Sequence, residues 1–541
     1  MSRLIHFKKR PAFHQTLWGQ LALFALVCAA PANFSLAQTA AGASGALPSL
    51  GDNLELTAAA ERRIGDRIAV SIYRDPDYID DPVLGDYLQS IWQPLMAAAR
   101  ARGELNPELE ERFAWRLFLV RDRSINAFAL PGGYFGVHVG LIAAVNTADE
   151  MAAVLGHEMS HVTQRHISRL MAQEKQQAPW MVAAMILGAL VAGKNSNVGS
   201  AAIVGGQAVA AQSQLNFSRD MEREADRVGF GVMSDAGFES RGVTSMFEKL
   251  QQAARLNDNG SFPYLRSHPL NTERIAAAQA RVQLAASEAV KPSREKEIEV
   301  GKAHVLHAMM AARARILAAP GVDALRSMVA EAQRRPVSLP SLQSPASAQN
   351  VRDAGALYAG AFAAAQLRDF AGARTLAGRL KPLVAEIAHA ASAVDLLGTE
   401  IDLLAGVVPP SASLADIAKA GSRAEVLTQA QSLMAAHRAP EVSSRLQTWV
   451  AGHPLDAMAW QLLAAAYGSQ NQSVRAIRAD AESRAAQLDY PAALDRFKAA
   501  QGMMRSNPGS ADYVEGSIID TRTRQMELLV KEQALQDKVD R

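Results

Sequence analysis

In the first half of this chain the spacing of apolar residues changes from segment to segment. Each spacing predicts a different type of secondary structure. Over residues 54–101 they recur at helical spacing, interrupted by proline-containing turns. Residues 115–120 form an apolar run of strand length, and Pro131-Gly132-Gly133 predict a turn that leads into an alternating strand at 134–139. This region is therefore expected to combine helices with a small sheet.

Helical spacing returns over residues 147–173, where Thr147 and Glu150 predict a capping box at the helix start. Two apolar runs rich in Gly and Ala follow, at 180–192 and 198–211. Each run is shorter than the ~18 residues expected of a membrane-spanning helix. We therefore expect mobile or interfacial helices here rather than membrane spans.

The pattern changes after residue 290, and nearly all of the remaining chain has the composition of Ala-rich helices with short breaks. Segments 369–373 and 489–493 resemble each other, and Trp460 and Tyr467 have the spacing of a tetratricopeptide first helix. We predict a stacked array of helical hairpins over 291–541, in preference to a plain helical bundle.

The N-terminus predicts export. A basic stretch ends at Arg10, an apolar run covers 21–30, and small residues follow up to Ala37. We predict a signal peptide over 1–37 and a flexible leader over 38–53. The alternative, an uncleaved anchor, is disfavoured because the apolar run is short for a membrane span.

The cysteine content and the net charge limit which metal ligands and which binding partners are expected. The only cysteine, Cys28, lies within the predicted signal peptide, so the mature chain would hold a transition metal with His and carboxylate ligands. The formal net charge is +2, and removal of the four basic residues before position 38 leaves 2 − 4 = −2. We therefore expect no binding to nucleic acid.

The strongest chemical signal is the segment His157-Glu158-Met159-Ser160-His161. Positions i and i+4 of a helix lie on one face, so both imidazoles can reach the same ion. Glu158 would lie close to that ion without binding it, where it can act as a general base on the attacking water. His166 does not have the spacing of a third ligand, and we predict that it is a surface residue of the helix.

The third ligand is expected further along the chain, where the pattern is helical again over 215–235. Glu222 and Asp226 share a helical face there, so one can bind the metal while the other orients a ligand His. The alternative is a solvated charged face, because arginines are interleaved with the acids. Spacing alone does not choose between Glu222 and Glu224.

These segments together resemble the HtpX and CAAX-prenyl-endopeptidase family of zinc peptidases. The resemblance is carried by His157 to His161, by the Asn126 to Gly133 segment, by the Ser218 to Asp226 helix and by the Ser267-His268-Pro269-Leu270 loop. It covers roughly residues 54–284, and the helical tail gives a layout similar to the periplasmic BepA-like members. Those members assist outer-membrane protein assembly in Gram-negative bacteria.

The resemblance implies Glu222 as the third zinc ligand, with one Zn²⁺ per chain. It implies Asp226 as an acid that orients a ligand or donates a proton, and His268 as a regulatory residue near the metal. It also implies an α+β zincin-like, gluzincin-type peptidase domain over 54–290, followed by an all-α tetratricopeptide-like domain over 291–541. The expected location is the periplasm.

Substrate is expected to pair with an exposed edge strand, and we assign that role to Gly133, Tyr134, Phe135, Gly136 and Val137.

The predicted function is hydrolysis of misfolded or stalled envelope proteins in outer-membrane quality control. The alternative is an assembly chaperone that acts mainly through the repeat domain. The expected partners are unfolded or misassembled proteins and the outer-membrane assembly machinery, with a peripheral membrane contact through residues 180–211.

Overall fold

The computed structural model describes residues 56–173, 218–256, 264–288, 293–335, 347–409, 421–506 and 512–539. The predicted signal peptide, the leader and the two apolar runs at 180–192 and 198–211 lie outside the described residues. The described residues belong to one compact unit, Leu54–Arg541. None of the helices in the ranges above is long and apolar enough to cross a membrane.

The N-terminal half combines helices with a small sheet, as the apolar pattern predicts. In chain order its elements are α1 (Ala58–Arg74), β1 (Tyr78–Ile79), α2 (Pro82–Ala101), α3 (Pro107–Arg112), β2 (Arg116–Val120), β3 (Ala127–Leu130), β4 (Tyr134–His138), α4 (Val139–Ala144), α5 (Ala148–Thr163), α6 (His166–Gln173), α7 (Arg219–Asp235), α8 (Arg241–Leu256), α9 (Tyr264–Ser267) and α10 (Thr272–Glu288).

The sheet has the strand order β1-β2-β4-β3. Strand β4 pairs in parallel with β2 and antiparallel with β3, and each of its five residues is buried. The prediction that residues 133–137 form an exposed edge strand is therefore wrong. The edge next to β4 is β3, and Phe128 of β3 lies across Gly136, where an added Cβ would overlap the Phe128 ring.

The predicted helix over 147–173 consists of two helices, because Arg165 has a φ of 55° and ends α5 near Thr163. Thr147 starts α5 as predicted, since its Oγ1 accepts a hydrogen bond from the Glu150 amide at 3.2 Å. The Glu150 carboxylate accepts from the amide of Asn146 and pairs with Lys249, so the reciprocal half of the capping box is not formed.

The C-terminal half is helical throughout the ranges described. Its elements are α11 (Arg294–Leu317), α12 (Val322–Arg334), α13 (Ala348–Gln366), α14 (Phe370–Val384), α15 (Ala388–Leu404), α16 (Arg423–Ala435), α17 (Ala439–Gly452), α18 (Ala457–Ser469), α19 (Ser473–Ala486), α20 (Tyr490–Ser506) and α21 (Tyr513–Val539). From α12 onwards each helix packs against the next one in the chain, and most of these pairs are joined by three or four residues. Asp369 and Asp489 occupy equivalent places, and each accepts a hydrogen bond from the third residue after it.

The two halves are joined by a buried ion network around Arg313 of α11. Its guanidinium binds both oxygens of Asp81, which caps α2, at 2.7 to 3.0 Å, and it reaches Glu400 of α15 at 2.8 Å. We call these residues, with Tyr358, the Arg313 network. Nearby, His307 of α11 lies 2.5 Å from Tyr87 Oη and 2.9 Å from the Val145 carbonyl oxygen. The helical half thus packs directly on α2 and α4.

Candidate metal centre

Four side chains of types that can bind a metal meet in the N-terminal half: His157, His161, Glu222 and His268. One donor atom of each lies within 4.8 Å of the others, and all four residues are buried. The Nε2 atoms of His157 and His161 are 3.0 Å apart, and each lies 3.5 Å from an oxygen of Glu222. We call this set the donor cluster. The structure brings together the predicted His157, His161, Glu222 and His268 in this one place.

A close crossing of two helices aligns these donors. The two His lie one turn apart on α5, and Glu222 lies in the first turn of α7, which starts at the Ser218 cap. The helices touch where glycines face each other: a Cβ on Gly156 would lie 3.2 Å from the Gly229 carbonyl oxygen, and one on Gly229 would meet the Gly156 backbone at 3.0 Å. Larger residues there would push α7, and with it Glu222, away from α5.

Asp226 and Arg274 support the cluster from the side. Asp226 lies one turn after Glu222, and its Oδ1 is 3.1 Å from His157 Nδ1. Arg274 binds both oxygens of Asp226 at 2.7 and 2.8 Å and approaches Glu222 Oε2 at 2.6 Å. This leaves Nε2 of His157 pointing at the donor cluster. Arg274 is not among the site residues predicted from the sequence.

Glu158 lies beside the cluster and is not one of its four donors. Its side chain is 1% exposed, and among the described residues neither carboxylate oxygen has a hydrogen-bond partner. Its Oε1 is 3.4 Å from His268 Nε2. A buried carboxylate without hydrogen bonds is costly to maintain. Such a group is typical of a site that has to receive a proton or a polar ligand.

His268 reaches the cluster from the end of the short helix α9. Its Nδ1 lies 2.9 Å from Glu222 Oε1 and 3.4 Å from His157 Nε2. The ring of Tyr264, one turn earlier, packs at 4.7 Å from the His268 ring. The imidazole is therefore held against the two His of α5 by its own helix and by a buried aromatic ring.

The prediction that His166 is a surface residue is wrong. Its side chain is fully buried, with Nδ1 2.9 Å from His161 Nδ1 and Nε2 3.1 Å from Glu224. The turn at Arg165 causes this, because it folds α6 back against α5. Arg169 holds Glu224 from the other side at 2.9 Å. His161 therefore has a hydrogen-bonded partner behind it, as His157 has in Asp226.

The charges of the site favour a bound cation. Burial opposes ionisation of Glu222, but His268 and His157 outweigh burial and hold its pKa well below the usual range. Burial together with the neighbouring His157 and His268 lowers the pKa of His161. Burial would also lower the pKa of His157, but hydrogen bonds to Asp226 and Glu222 raise it to about 10. A divalent ion would displace that proton and would meet a carboxylate that is already charged.

The donor types fit zinc. Two or three imidazoles with one carboxylate match the ligands that this ion takes in catalytic sites, and no thiol is available outside position 28. The orienting hydrogen bonds to His157 and His161 fix which ring nitrogen faces the ion. The residues present therefore fit a transition metal with nitrogen and oxygen ligands.

The predicted substrate strand does not border the cluster as an edge. Gly133 lies in the turn before β4, and Tyr134 to Val137 lie inside the sheet, with Tyr134 Oη donating to Asp66 at 2.6 Å. The neighbouring strand β3 packs against α5, the helix that carries both His. Among the described strands, the edge strand that packs against α5 is thus β3.

Comparisons with known proteins agree with this geometry. Residues 85–282 match peptidase family M48. A Vibrio cholerae protein is 33% identical over 228 residues, which are 42% of this chain and 45% of that protein. The Escherichia coli K12 protein named beta-barrel assembly-enhancing protease is 30% identical over 261 residues, 48% of this chain and 52% of its own. A Yersinia pestis protein of that name is 27% identical over 447 residues, 81% and 84%.

This chain spans about half the length of the first two relatives. The match to family M48 begins in α2 and ends in α10, so it contains every residue of the donor cluster as well as Glu158, Asp226 and Arg274. The resemblance predicted from the sequence is confirmed. The part of this chain that is similar to peptidase family M48, residues 85–282, is therefore the part that contains the site.

Proposed function

We propose that this chain is an exported, zinc-dependent endopeptidase that hydrolyses misfolded or stalled envelope proteins in outer-membrane quality control. The observation that carries the proposal is the buried donor cluster with the carboxylate of Glu158 beside it, which is buried and accepts no hydrogen bond from the described residues. A structural metal site would close its coordination with protein ligands and would have no use for such a carboxylate. The relatives from Escherichia coli and Yersinia pestis are named beta-barrel assembly-enhancing proteases, which supports β-barrel envelope proteins as the class of substrate.

We assign one zinc ion per chain to His157, His161 and Glu222. When bound there, zinc would polarise the peptide carbonyl and lower the pKa of water. Asp226 orients His157, and Arg274 holds Asp226 and Glu222 in place. Glu158 accepts the proton of the attacking water and passes it to the leaving amine. This role suits a carboxylate that is buried and not hydrogen-bonded to the protein.

His268 is proposed to restrain the enzyme. It is a fourth donor within the cluster, in contact with Glu222 and with Glu158. A catalytic zinc site needs one open position for water. If His268 takes that position, the resting enzyme is inactive until α9 moves away.

Substrate is proposed to pair with β3 rather than with β4, since β3 is the edge strand beside α5 in the described sheet. Pairing through the backbone depends little on side chains, which suits a protease that acts on many unfolded chains. We further propose the division into a peptidase domain at 54–290 and a tetratricopeptide-like domain at 291–541. A concave array of hairpins would bind the outer-membrane assembly machinery.

Exchange of Glu158 for Gln tests the proposal. The variant keeps the shape of the side chain but loses the proton acceptor, so cleavage of an unfolded protein should fall by ~10²–10⁴. Zinc content and thermal stability should stay those of the wild type. Cleavage within about threefold of the wild type would overturn the assignment of Glu158.

Two further readouts complete this experiment. His268→Ala should raise basal cleavage at unchanged zinc content, whereas a loss of cleavage matching that of Glu158→Gln would make His268 catalytic instead of restraining. Complementation of a deletion strain by Glu158→Gln separates the two functions. Full rescue would favour the assembly-chaperone function of the helical domain over proteolysis.

A further inference from the structure

A cavity of about 520 Å³, which shares no lining residue with the donor cluster, lies where the C-terminal helices meet α1 and the start of β2. Its volume is typical of a ligand pocket. Most of its wall is aromatic or apolar, including Tyr134, Trp460, Leu488 and Met526, all buried. Leu455 stands on the wall as well but is 61% exposed, so an apolar side chain is available where the cavity opens to solvent.

The wall carries three arginines and one carboxylate: Arg62, Arg116 and Arg522 against Glu482. Two of the arginines are neutralised. Arg62 pairs with Asp66 at 2.6 Å, and Arg522 binds both oxygens of Glu482 at 2.5 and 2.8 Å. These pairs contribute polarity to the wall but leave no free charge.

Arg116 differs from the other two arginines. Its Nη1 donates to Tyr73 Oη at 2.7 Å and to the Ala486 carbonyl oxygen at 3.3 Å. Both acceptors are neutral, and over the ranges that the structure describes Arg116 has no carboxylate partner and no hydrogen bond from Nε or Nη2. The cavity therefore contains one half-buried guanidinium with an uncompensated positive charge, held in place from one side only.

A guanidinium held in this way matches a carboxylate, which it can bind through two parallel hydrogen bonds. Because the wall of the cavity is mostly aromatic and apolar, the part of the ligand next to the carboxylate has to be apolar as well. We propose that this cavity binds the C-terminal carboxylate of a polypeptide whose last residue is bulky and apolar, with Arg116 pairing with the carboxylate. The site goes beyond the proposed peptidase function, because binding there needs neither metal nor hydrolysis.

The exposed position of Leu455 supports a chain end as the occupant. A polypeptide would enter past Leu455 and place only its last residues inside, whereas a small molecule would need no apolar contact at the mouth. The cavity is bounded by both halves of the chain, so a bound terminus would tether a protein at the boundary of the peptidase and helical regions. Docking of this kind would add to the effective concentration of a substrate near the enzyme.

Fluorescence anisotropy on the full mature chain tests the proposal. The probes are a labelled, unstructured ten-residue peptide ending in Phe with a free carboxylate, and the same peptide ending in an amide. The acid should bind at least tenfold more tightly than the amide, because only the acid can pair with Arg116. Mass spectrometry of the recovered probe verifies that it is intact, so the result does not depend on peptidase activity.

Arg116→Gln should abolish the preference for the acid, while Arg326→Gln, an exposed arginine of α12, should leave it unchanged. Leu455→Ala should weaken the binding of both peptides by the same factor, since it changes only the apolar rim of the cavity. Equal binding of acid and amide by the wild type would overturn the proposal. Competition by decanoate as strong as that of the unlabelled acid peptide would also overturn it and would assign the site to a free aliphatic acid. The acid-to-amide ratio of the wild type decides the matter even if Arg116→Gln fails to fold.

Discussion

Two buried polar groups of residues, the Arg313 network and the donor cluster, differ in how their charges are balanced. In the Arg313 network a guanidinium faces two carboxylates and a tyrosine, and its charge is met by hydrogen bonds at 2.7 to 3.3 Å. In the donor cluster three imidazoles converge on one carboxylate, and a second carboxylate, Glu158, is buried without a hydrogen bond. Both places remove charge from water, at a cost that has to be offset locally.

This difference distinguishes a group of residues with a structural role from a group with a chemical role. A network whose donors and acceptors match is complete by itself and fixes how two parts of the chain pack. A cluster with an excess of acceptor nitrogens and oxygens is incomplete until a cation joins it. Changes in the Arg313 network should therefore affect stability and leave metal binding intact, and changes in the donor cluster should remove the metal while the chain still folds.

The largest expected effect on stability comes from Arg313→Met. The variant leaves Asp81 buried without its partner, so the free energy of unfolding should fall by about 3–5 kcal/mol. Urea unfolding measures the change. Zinc content of the folded fraction should not change. The control is Arg326→Met, because the exposed pair of Arg326 with Asp323 should contribute less than about 0.5 kcal/mol.

His307, beside the Arg313 network, should make stability depend on pH. Burial lowers the pKa of His307 to about 4, and the ring is bonded in its neutral form to Tyr87 and to the Val145 carbonyl. The unfolded chain binds a proton near pH 6.5, so the stabilisation is complete above that pH and is lost as the pH falls towards 4. By pH 5 the wild type should lose about 2 kcal/mol relative to His307→Gln.

Urea unfolding of both proteins at pH 7 and pH 5 checks this expectation. Every other titrating group is common to the two chains, so its effect cancels in the difference. A difference in unfolding free energy that is the same at both pH values would show that His307 stays neutral in the unfolded chain or is charged in the folded one.

A smaller effect is expected from His166→Ala, which removes the group behind His161. The ligand would lose its orienting hydrogen bond while keeping its own imidazole, so zinc affinity should weaken by ~10–100-fold. Competition with a chromogenic chelator measures the affinity without any assay of activity. Glu224→Gln should weaken zinc less than His166→Ala, because an amide oxygen can still accept from His166. Unchanged zinc affinity in His166→Ala would show that the His161–His166 contact contributes packing only and does not orient the ligand.

Local features of the centre were predictable from the sequence because they are fixed by neighbours along the chain. The spacing of His157 and His161 on one helix determines that they share a face, and the Thr147 cap fixes where that helix begins. The choice of Glu222 over Glu224 was not predictable from spacing. Two residues along a helix is more than half a turn, so Glu224 points to His166 and Arg169 instead.

Features that depend on long-range pairing were not predictable. The alternation at 134–138 predicts a strand correctly, but the position of that strand within the sheet depends on two partners that the pattern does not encode. The burial of His166 depends on a single residue with positive φ, Arg165, which gives no strong signal. The Arg274 contacts join residues 48 positions apart. In each case the missing information is which surfaces meet.

The zinc content of the purified mature chain tests the central claim most directly. The wild type, isolated without added metal, should carry about one zinc per chain by mass spectrometry. His157→Ala should lose it and remain folded, while Arg313→Met should keep it in whatever fraction folds. Stoichiometric zinc in His157→Ala, or none in an active wild type, would contradict the account.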